Sequence, residues 1–170
     1  MDKDTLFSIR PSQPSDLPRM KEIFRDARCK MVADGNVHQW PESYPDEQIL
    51  LNDMRRGFSY VVERDGIVVG TFVLALCEDP TYRRIYSGQW LDDERPYGTI
   101  HRIASADGCH GMADAVIRWC FTKTDNLRID THRDNRIMQH ILAKHGFTYC
   151  GIILIDRPGD NERLAFQKLL

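Results

Sequence analysis

The stretch Ile103-Ala104-Ser105-Ala106-Asp107-Gly108-Cys109-His110-Gly111-Met112-Ala113 decides how this chain folds. Thr99 to Ser105 reads as a strand, and Asp107 to Gly111 as a glycine-containing turn. Met112, Val116, Trp119 and Cys120 then recur at spacings of four and three, the buried face of a helix. A strand that passes through such a turn into a helix presents free backbone N–H groups and the positive end of a helix dipole. That is a ready site for a phosphate or pyrophosphate. Gly108 and Gly111 let the backbone approach such a group with no Cβ in the way. Glycine at a strand-to-helix turn is also common for structural reasons alone, so the turn needs support from the rest of the chain.

Downstream, Leu127 to Thr131 reads as the next strand, and His132-Arg133-Asp134 leads into a helix from about Asn135. The apolar face of that helix is Ile137, Ile141 and Leu142, with Gly146 at its C-terminal cap. Phe147 to Ile155 and Leu164 to Leu169 read as a closing hairpin around Arg157-Pro158-Gly159-Asp160. Upstream, Leu6 to Ile9 reads as a short strand. Ser15 or Asp16 then caps a helix whose inward positions are Leu17, Met20, Ile23, Phe24, Ala27 and Met31, stopped by Gly35. A shorter helix follows Pro45, with Ile49, Leu50 and Met54 inward and Gly57 at its end. Ser59 to Glu63 and Ile67 to Leu76, joined by Arg64-Asp65-Gly66, form a β-hairpin with the Asp-Gly turn that its geometry prefers. Between Glu78 and Gly98 lies a long segment without a clear period that holds Tyr82, Tyr86, Trp90 and Tyr97. A loop of that length in a compact domain is more often functional than idle.

The order β, α, α, β-hairpin, β, α, β, α, β, β implies an α/β (α+β) fold with a mixed central sheet flanked by about four helices. No linker or repeat interrupts residues 1–170, so one domain is expected. The 170 residues are 42% hydrophobic and 28% charged, as in an ordinary globular protein. A formal net charge of -2 gives no broad attraction to nucleic acid or anionic lipid. The opening Met1-Asp2-Lys3-Asp4-Thr5 lacks the basic-then-apolar pattern of a secretory signal. The longest apolar run, Gly66 to Cys77, falls short of the roughly 20 residues that a membrane span needs. Cys29, Cys77, Cys109, Cys120 and Cys150 are odd in number and contain no C-x-x-C pair, which argues against a disulfide framework or a zinc cluster. Reduced thiols in the cytoplasm are the simple expectation.

Together, the two halves of the chain's second part resemble the Gcn5-related N-acetyltransferase (GNAT) family. Its glycine loop reads Gln/Arg-x-x-Gly-x-Gly/Ala, and Gly108-Cys109-His110-Gly111-Met112-Ala113 fits at the last Gly and Ala. Its next helix opens on Asn and closes on aromatic-Glu-Lys-x-Gly-Phe. Asn135 followed by Leu142-Ala143-Lys144-His145-Gly146-Phe147 matches at the Asn, Lys, Gly and Phe. The resemblance spans nearly the whole chain and implies a GNAT-like acyl-CoA N-acyltransferase fold that uses acetyl-CoA. Two departures stand out. Gly108 occupies the place of the usual Gln or Arg, and Leu142 that of a Tyr that in many members protonates the departing thiolate. Coenzyme A carries a thiol of near-normal pKa, about 8.5 by analogy with cysteine, so a dedicated acid is dispensable.

The resemblance implies direct attack of a primary amine, in a small molecule or peptide, on the thioester. It places the coenzyme against Ile103, Ala104 and Ser105, along the turn and helix start formed by Gly108, Cys109, His110, Gly111, Met112 and Ala113, and near Asn135 and Lys144. Backbone N–H groups around Ile103 and Ala104, near a β-bulge, would polarise the thioester carbonyl. Glu78, His101 and His132, each near the expected end of a central strand, are the candidates for the base that deprotonates the acceptor. Trp40, Tyr44, Tyr82, Tyr86 and Trp90 are the candidate lining of the acceptor site, against the plainer reading that several of them only cover the core. Folds of this kind pair through sheet edges, so a homodimer is one expected association, although no residue marks its interface.

Other chemistries fit less well. His132-Arg133-Asp134 has the order of a kinase catalytic loop, but Gln139 stands where that loop needs Asn, and no Asp-Phe-Gly is present. A Cys109 nucleophile would lie inside the proposed phosphate turn, the wrong place for an attacking group. His101, His110, His132, His140 and His145 have no metal-ligand spacing. A domain of the same fold that binds acyl-CoA as a sensor, without turnover, is the remaining rival.

Overall fold

A computed structural model describes residues 6–170; the opening Met1–Thr5 lies outside the described residues. The elements run β1 (Ser8–Pro11), α1 (Leu17–Ala33), α2 (Glu47–Arg55), β2 (Ser59–Arg64), β3 (Ile67–Ala75), β4 (Gly98–Ser105), α3 (Met112–Cys120), β5 (Asn126–Thr131), α4 (Arg136–Lys144), β6 (Thr148–Leu154) and β7 (Glu162–Leu169). The strands form one mixed seven-stranded sheet in the order β1-β2-β3-β4-β5-β7-β6. Only β4 and β5 pair in parallel; the other neighbours are antiparallel. The first strand begins two residues later than its sequence suggested. Among the described residues, no helix is long and apolar enough to cross a membrane.

Alternation along the strands sorts the core into two faces. Val62, Phe72, Leu127, Ile129 and Phe166 meet Met112, Val116 and Ile117 of α3 and Leu142 of α4. Val61 and Ala104 meet Met20, Ile23 and Phe24 of α1 and Leu50 of α2. The β2–β3 turn takes the expected Asp-Gly form, with Asp65 and Gly66 both at positive φ (53° and 76°), the combination a two-residue hairpin requires. On α4 the expected inward Ile137 is instead 50% exposed, and Met138 packs on the core in its place. Asn135 caps this helix, its side-chain oxygen accepting the Met138 N–H at 3.0 Å. The inward stripe is therefore Met138, Ile141 and Leu142, and it excludes Ile137.

Two local features shape the centre of the sheet. First, β4 carries a bulge. Thr71 pairs with Ala104 and Val73 with His101, so β4 holds one more residue than β3 across that interval. Arg102 stands at φ 48° within it. Ile100 and Ala104, four apart, would share a face in a regular strand; the extra residue sends them to opposite faces. The Arg102 guanidinium grips Asp53 of α2 through two hydrogen bonds of 2.8 and 2.6 Å and donates to the Tyr44 hydroxyl at 3.1 Å. Second, the segment between β3 and β4 folds back over the sheet. Arg128 of β5, 1% exposed, lies 4.0 Å under the rings of both Trp90 and Tyr97. Gln167 of β7 accepts from the Leu91 N–H at 2.8 Å and donates to the Asp92 carbonyl at 2.9 Å.

The Arg102–Asp53 pair is largely buried, so removing one partner strands the other charge. Asp53→Ala is expected to lower unfolding stability by about 3–5 kcal/mol, as measured by urea denaturation followed by circular dichroism. A loss under about 1 kcal/mol would mean that the pair is solvated and does not hold the bulge.

Candidate functional site

β4 and β5 pair only at Gly98–Leu127 and Thr99–Arg128. Beyond these registers the strands part, and the side of β4 turned toward β5 has no ladder partner there. Two cavities open along this gap. One, of about 410 Å³, is lined by His101, Arg102 and Ile103 of β4, by Ile129, Asp130 and Thr131 of β5, and by Trp40, Tyr44 and Asp79 from the loops above. The other, of about 160 Å³, is lined by Ile103, Ala104 and Ser105, by Met112 and Ala113 of α3, and by the start of α4. Met31, Ile103, Asn135 and Met138 line both, so the cavities are neighbours in one cleft. Within it the Thr131 hydroxyl is fully buried and has no hydrogen-bond partner.

The smaller cavity is lined on either side of the glycine turn by Ser105 and Met112, while Gly108, Cys109, His110 and Gly111 themselves line neither cavity. Gly111 caps α3 at φ 81° and Gly108 stands at φ 71°, both in the left-handed region that glycine tolerates best. A Cβ built at Gly108 would meet nothing within 4 Å, so open space lies in front of this backbone. Cys109 is buried and its thiol is pushed up by burial, so it is a neutral packing group. His110 is exposed. Asn135 lines both cavities, while its amide donates to Gln39 Oε1 at 2.9 Å. Lys144 lies outside both cavities and joins His145 in holding Asp114 of α3, at 3.1 and 2.6 Å. Leu142, at the family's usual Tyr position, is fully buried in the core and lines neither cavity.

The three candidate bases have separate fates. His101 lines the larger cavity, and its Nε2 lies 2.7 Å from Asp79 Oδ2. Burial alone would push the Asp79 carboxyl up. The hydrogen bond and charge of His101, with two hydrogen bonds from Thr81, outweigh it and hold the carboxyl down at about 2. An ionised Asp79 makes Nε2–H the donor and leaves the lone pair on Nδ1. The Nδ1 atom is 3.8 Å from Asp130 Oδ1, beyond hydrogen-bond reach, and that oxygen already accepts from the Tyr82 hydroxyl at 2.5 Å.

His132 is fully buried and lines neither cavity of the cleft. Its Nδ1 accepts the Asp134 N–H at 3.0 Å and its Nε2 meets Asp160 at 2.7 Å, so no lone pair is free to take a proton. Glu78 is exposed, paired with Arg83 at 3.6 Å, and lines neither cavity. The carboxylate that meets the histidine is its neighbour Asp79.

Of the five candidate aromatic residues, Trp40 and Tyr44 line the larger cavity. Tyr82 is buried and orients Asp130. Trp90 covers Arg128, and Tyr86 pairs through its backbone with Ile152 of β6. Sequence reasoning missed Asp79, Asp130, Arg157 and Arg163, which share the larger cavity with His101. Asp79 follows Glu78 at the start of the long loop, and its role depends on the fold of that loop, which carries no periodic signal.

Comparison with known proteins agrees with this geometry. No protein-family model matches the chain, and no curated protein is similar to it. Among solved structures, a GNAT-family acetyltransferase from Streptococcus agalactiae 2603 is 30% identical, with a TM-score of 0.86 over 96% of this chain and 95% of that one. The PaiA N-acetyltransferase from Thermoplasma acidophilum, solved with coenzyme A, shares the fold at 14% identity and a TM-score of 0.67, over 96% of this chain and 99% of that one. A ribosomal-protein-alanine N-acetyltransferase from Brucella melitensis also shares it, at 24% identity and a TM-score of 0.59, over 96% of this chain and 99% of that one. A glycine turn at the head of α3, two strands that part beside it, and a relative of this identity and coverage lead to one conclusion: the chain belongs to the GNAT family of acetyltransferases.

Proposed function

We propose that the protein transfers an acetyl group from acetyl-CoA to a primary amine, with His101 as the base and Asp79 as its orienting partner. The observation that carries this reading is the Asp79–His101 pair on the wall of the larger cavity, beside the point where β4 and β5 part.

The residues fit the coenzyme. The open space in front of Gly108 and the free N–H groups at the head of α3 suit its pyrophosphate, and the unpartnered Thr131 hydroxyl suits an amide-bearing arm in the gap. Ile103, Ala104 and Ser105 would flank that arm, with Met112, Ala113 and Asn135 beside it. When bound, acetyl-CoA supplies an acyl carbon activated as a thioester. The chain's own task is then to place an amine and remove its proton. His101 presents the Nδ1 lone pair to the cavity, and ionised Asp79 stabilises the imidazolium that results. Asp130, held by Tyr82, adds a second negative charge that favours a cationic acceptor.

Leu142 in place of a thiol-protonating Tyr favours the rival reading, a domain that binds acyl-CoA without turnover. The Asp79–His101 pair on the cavity wall favours the enzyme, and the coenzyme A thiol, of near-normal pKa about 8.5, leaves as a thiolate without a dedicated acid.

His101→Ala is expected to lower kcat about 10²–10⁴-fold in a thiol-release assay over an amine panel, while calorimetry shows unchanged acetyl-CoA binding. Full activity in this variant would remove His101 from the reaction. Acceptor-independent thiol release, or none with any amine, would favour the sensor. At Gly108 the left-handed backbone accepts Asn or Asp with little strain. Gly108→Asp is expected to weaken acetyl-CoA binding at least ~10-fold, with Gly108→Asn close to the parent, because only the former sets a charge against the pyrophosphate. Equal affinities in the two variants would place the phosphates elsewhere. The Asp79 carboxyl should titrate near 2 by ¹³C NMR, below its ordinary 3.8. A depressed folded value contributes stability above about pH 4 that is lost as the pH falls through 2. His101→Ala is expected to move the midpoint up and flatten acid unfolding over that window. An unmoved midpoint would assign the effect to Thr81.

A further inference from the structure

Arg157 and Arg163 line the same cavity as Asp79 and His101. Arg163 is only 3% exposed, and its guanidinium donates to the carbonyls of Glu162, Asp160 and Gln39 at 2.7, 3.3 and 3.3 Å. Arg157 donates to the carbonyls of His38, Gln39 and Asp160 at 2.7, 2.9 and 2.9 Å. Among the described residues neither guanidinium forms an ion pair. Burial, and after it the charge of Arg157, pulls the Arg163 pKa down, which Asp130 and Asp160 only partly offset. Carbonyl oxygens orient two cations side by side without neutralising them, and a buried cation without a counter-ion is costly. Asp156, exposed at the edge of the same cavity, pairs with neither.

The cavity thus carries Asp79, Asp130 and His101 together with two arginines that form no ion pair and whose charge nearby carboxylates only partly offset. We infer that Arg157 and Arg163 form an anion subsite, and that the acceptor is a zwitterion of the amino-acid class whose carboxylate binds there while its amine meets His101. The amine half rests on the acetyl transfer proposed above. The apolar lining from Trp40, Tyr44 and Ile155 suits a hydrophobic side chain. Arginine is the residue best matched to a planar carboxylate, through paired N–H donors.

Binding of the reaction product tests the subsite without requiring turnover. N-acetylphenylalanine and N-acetylleucine are titrated calorimetrically against the same molecules lacking the carboxylate, N-acetylphenethylamine and N-acetylisoamylamine. The carboxylates are expected to bind at least ~10-fold tighter. Arg157→Gln should bring each pair to parity, while Arg157→Lys keeps part of the preference. Arg157 is the site of change because substitution at the more buried Arg163 would disturb folding. Equal affinity within each pair, no binding by any of the four, or a preference that survives Arg157→Gln would overturn the inference. Tighter binding of the phosphonate analogues than of the carboxylates would overturn the amino-acid assignment. Thiol release with the parent amino acids and amines then separates the two claims. Selective binding without turnover would keep the anion subsite and remove the transfer reaction. Turnover with no carboxylate preference would do the reverse.

Discussion

β4 and β5 run in parallel, meet at Gly98 opposite Leu127 and Thr99 opposite Arg128, and then separate. In an uninterrupted sheet the next backbone groups of each strand would satisfy one another. Here they border a gap instead, with Thr131 left without a hydroxyl partner, while β4 stays paired with β3 and β5 with β7 on the sides away from the gap. The gap needs walls that do not collapse into it. Arg102 supplies one, because its extra residue in β4 turns the strand and its side chain pins the turn to α2 through Asp53. Asn135 supplies another, because it caps α4 and so fixes where that helix begins at the mouth of the gap. The cleft is a defect in hydrogen bonding maintained by an ion pair, a helix cap and two packed faces.

The polar lining is organised in the same way, by groups that hold other groups. Tyr97 accepts the Asp79 N–H at 2.8 Å, Asp79 orients His101, and Tyr82 from the same loop orients Asp130. The first of these contacts ties the long β3–β4 segment to itself, and the other two join it to β4 and β5. The segment contributes few regular elements, yet it sets the direction of both carboxylates and leaves the Nδ1 atom of His101 without a donor.

The fold was readable wherever the signal was local. The Asp65-Gly66 turn, the apolar stripe of α1 and the glycine turn before α3 each depend on residues within one or two turns of chain, and each stands where the pattern put it. His101 was readable as a candidate for the same reason, a titratable group near the end of a central strand. His132 satisfied the same rule and was set apart only by Asp160, 28 residues away, and by a backbone N–H from its own turn. Arg157 and Arg163 stand in a hairpin with no motif to mark them, and the packing of that hairpin against His38 and Gln39 brings them to the cavity. Residues whose role comes from long-range partners carry no periodic mark, and the long loop consists mostly of such residues.

Arg128 sits on the sheet, while the two rings that cover it, Trp90 and Tyr97, sit on the loop. Neither half is stable without the other: the cation would be buried without a cover, and the rings would lose the surface they lie on. Transplanting this loop into a relative that lacks the arginine would therefore fail, however well the ends matched. Over the history of the family, loop and strand are expected to change together at these three positions, so that diversification of the acceptor site proceeds in coupled steps.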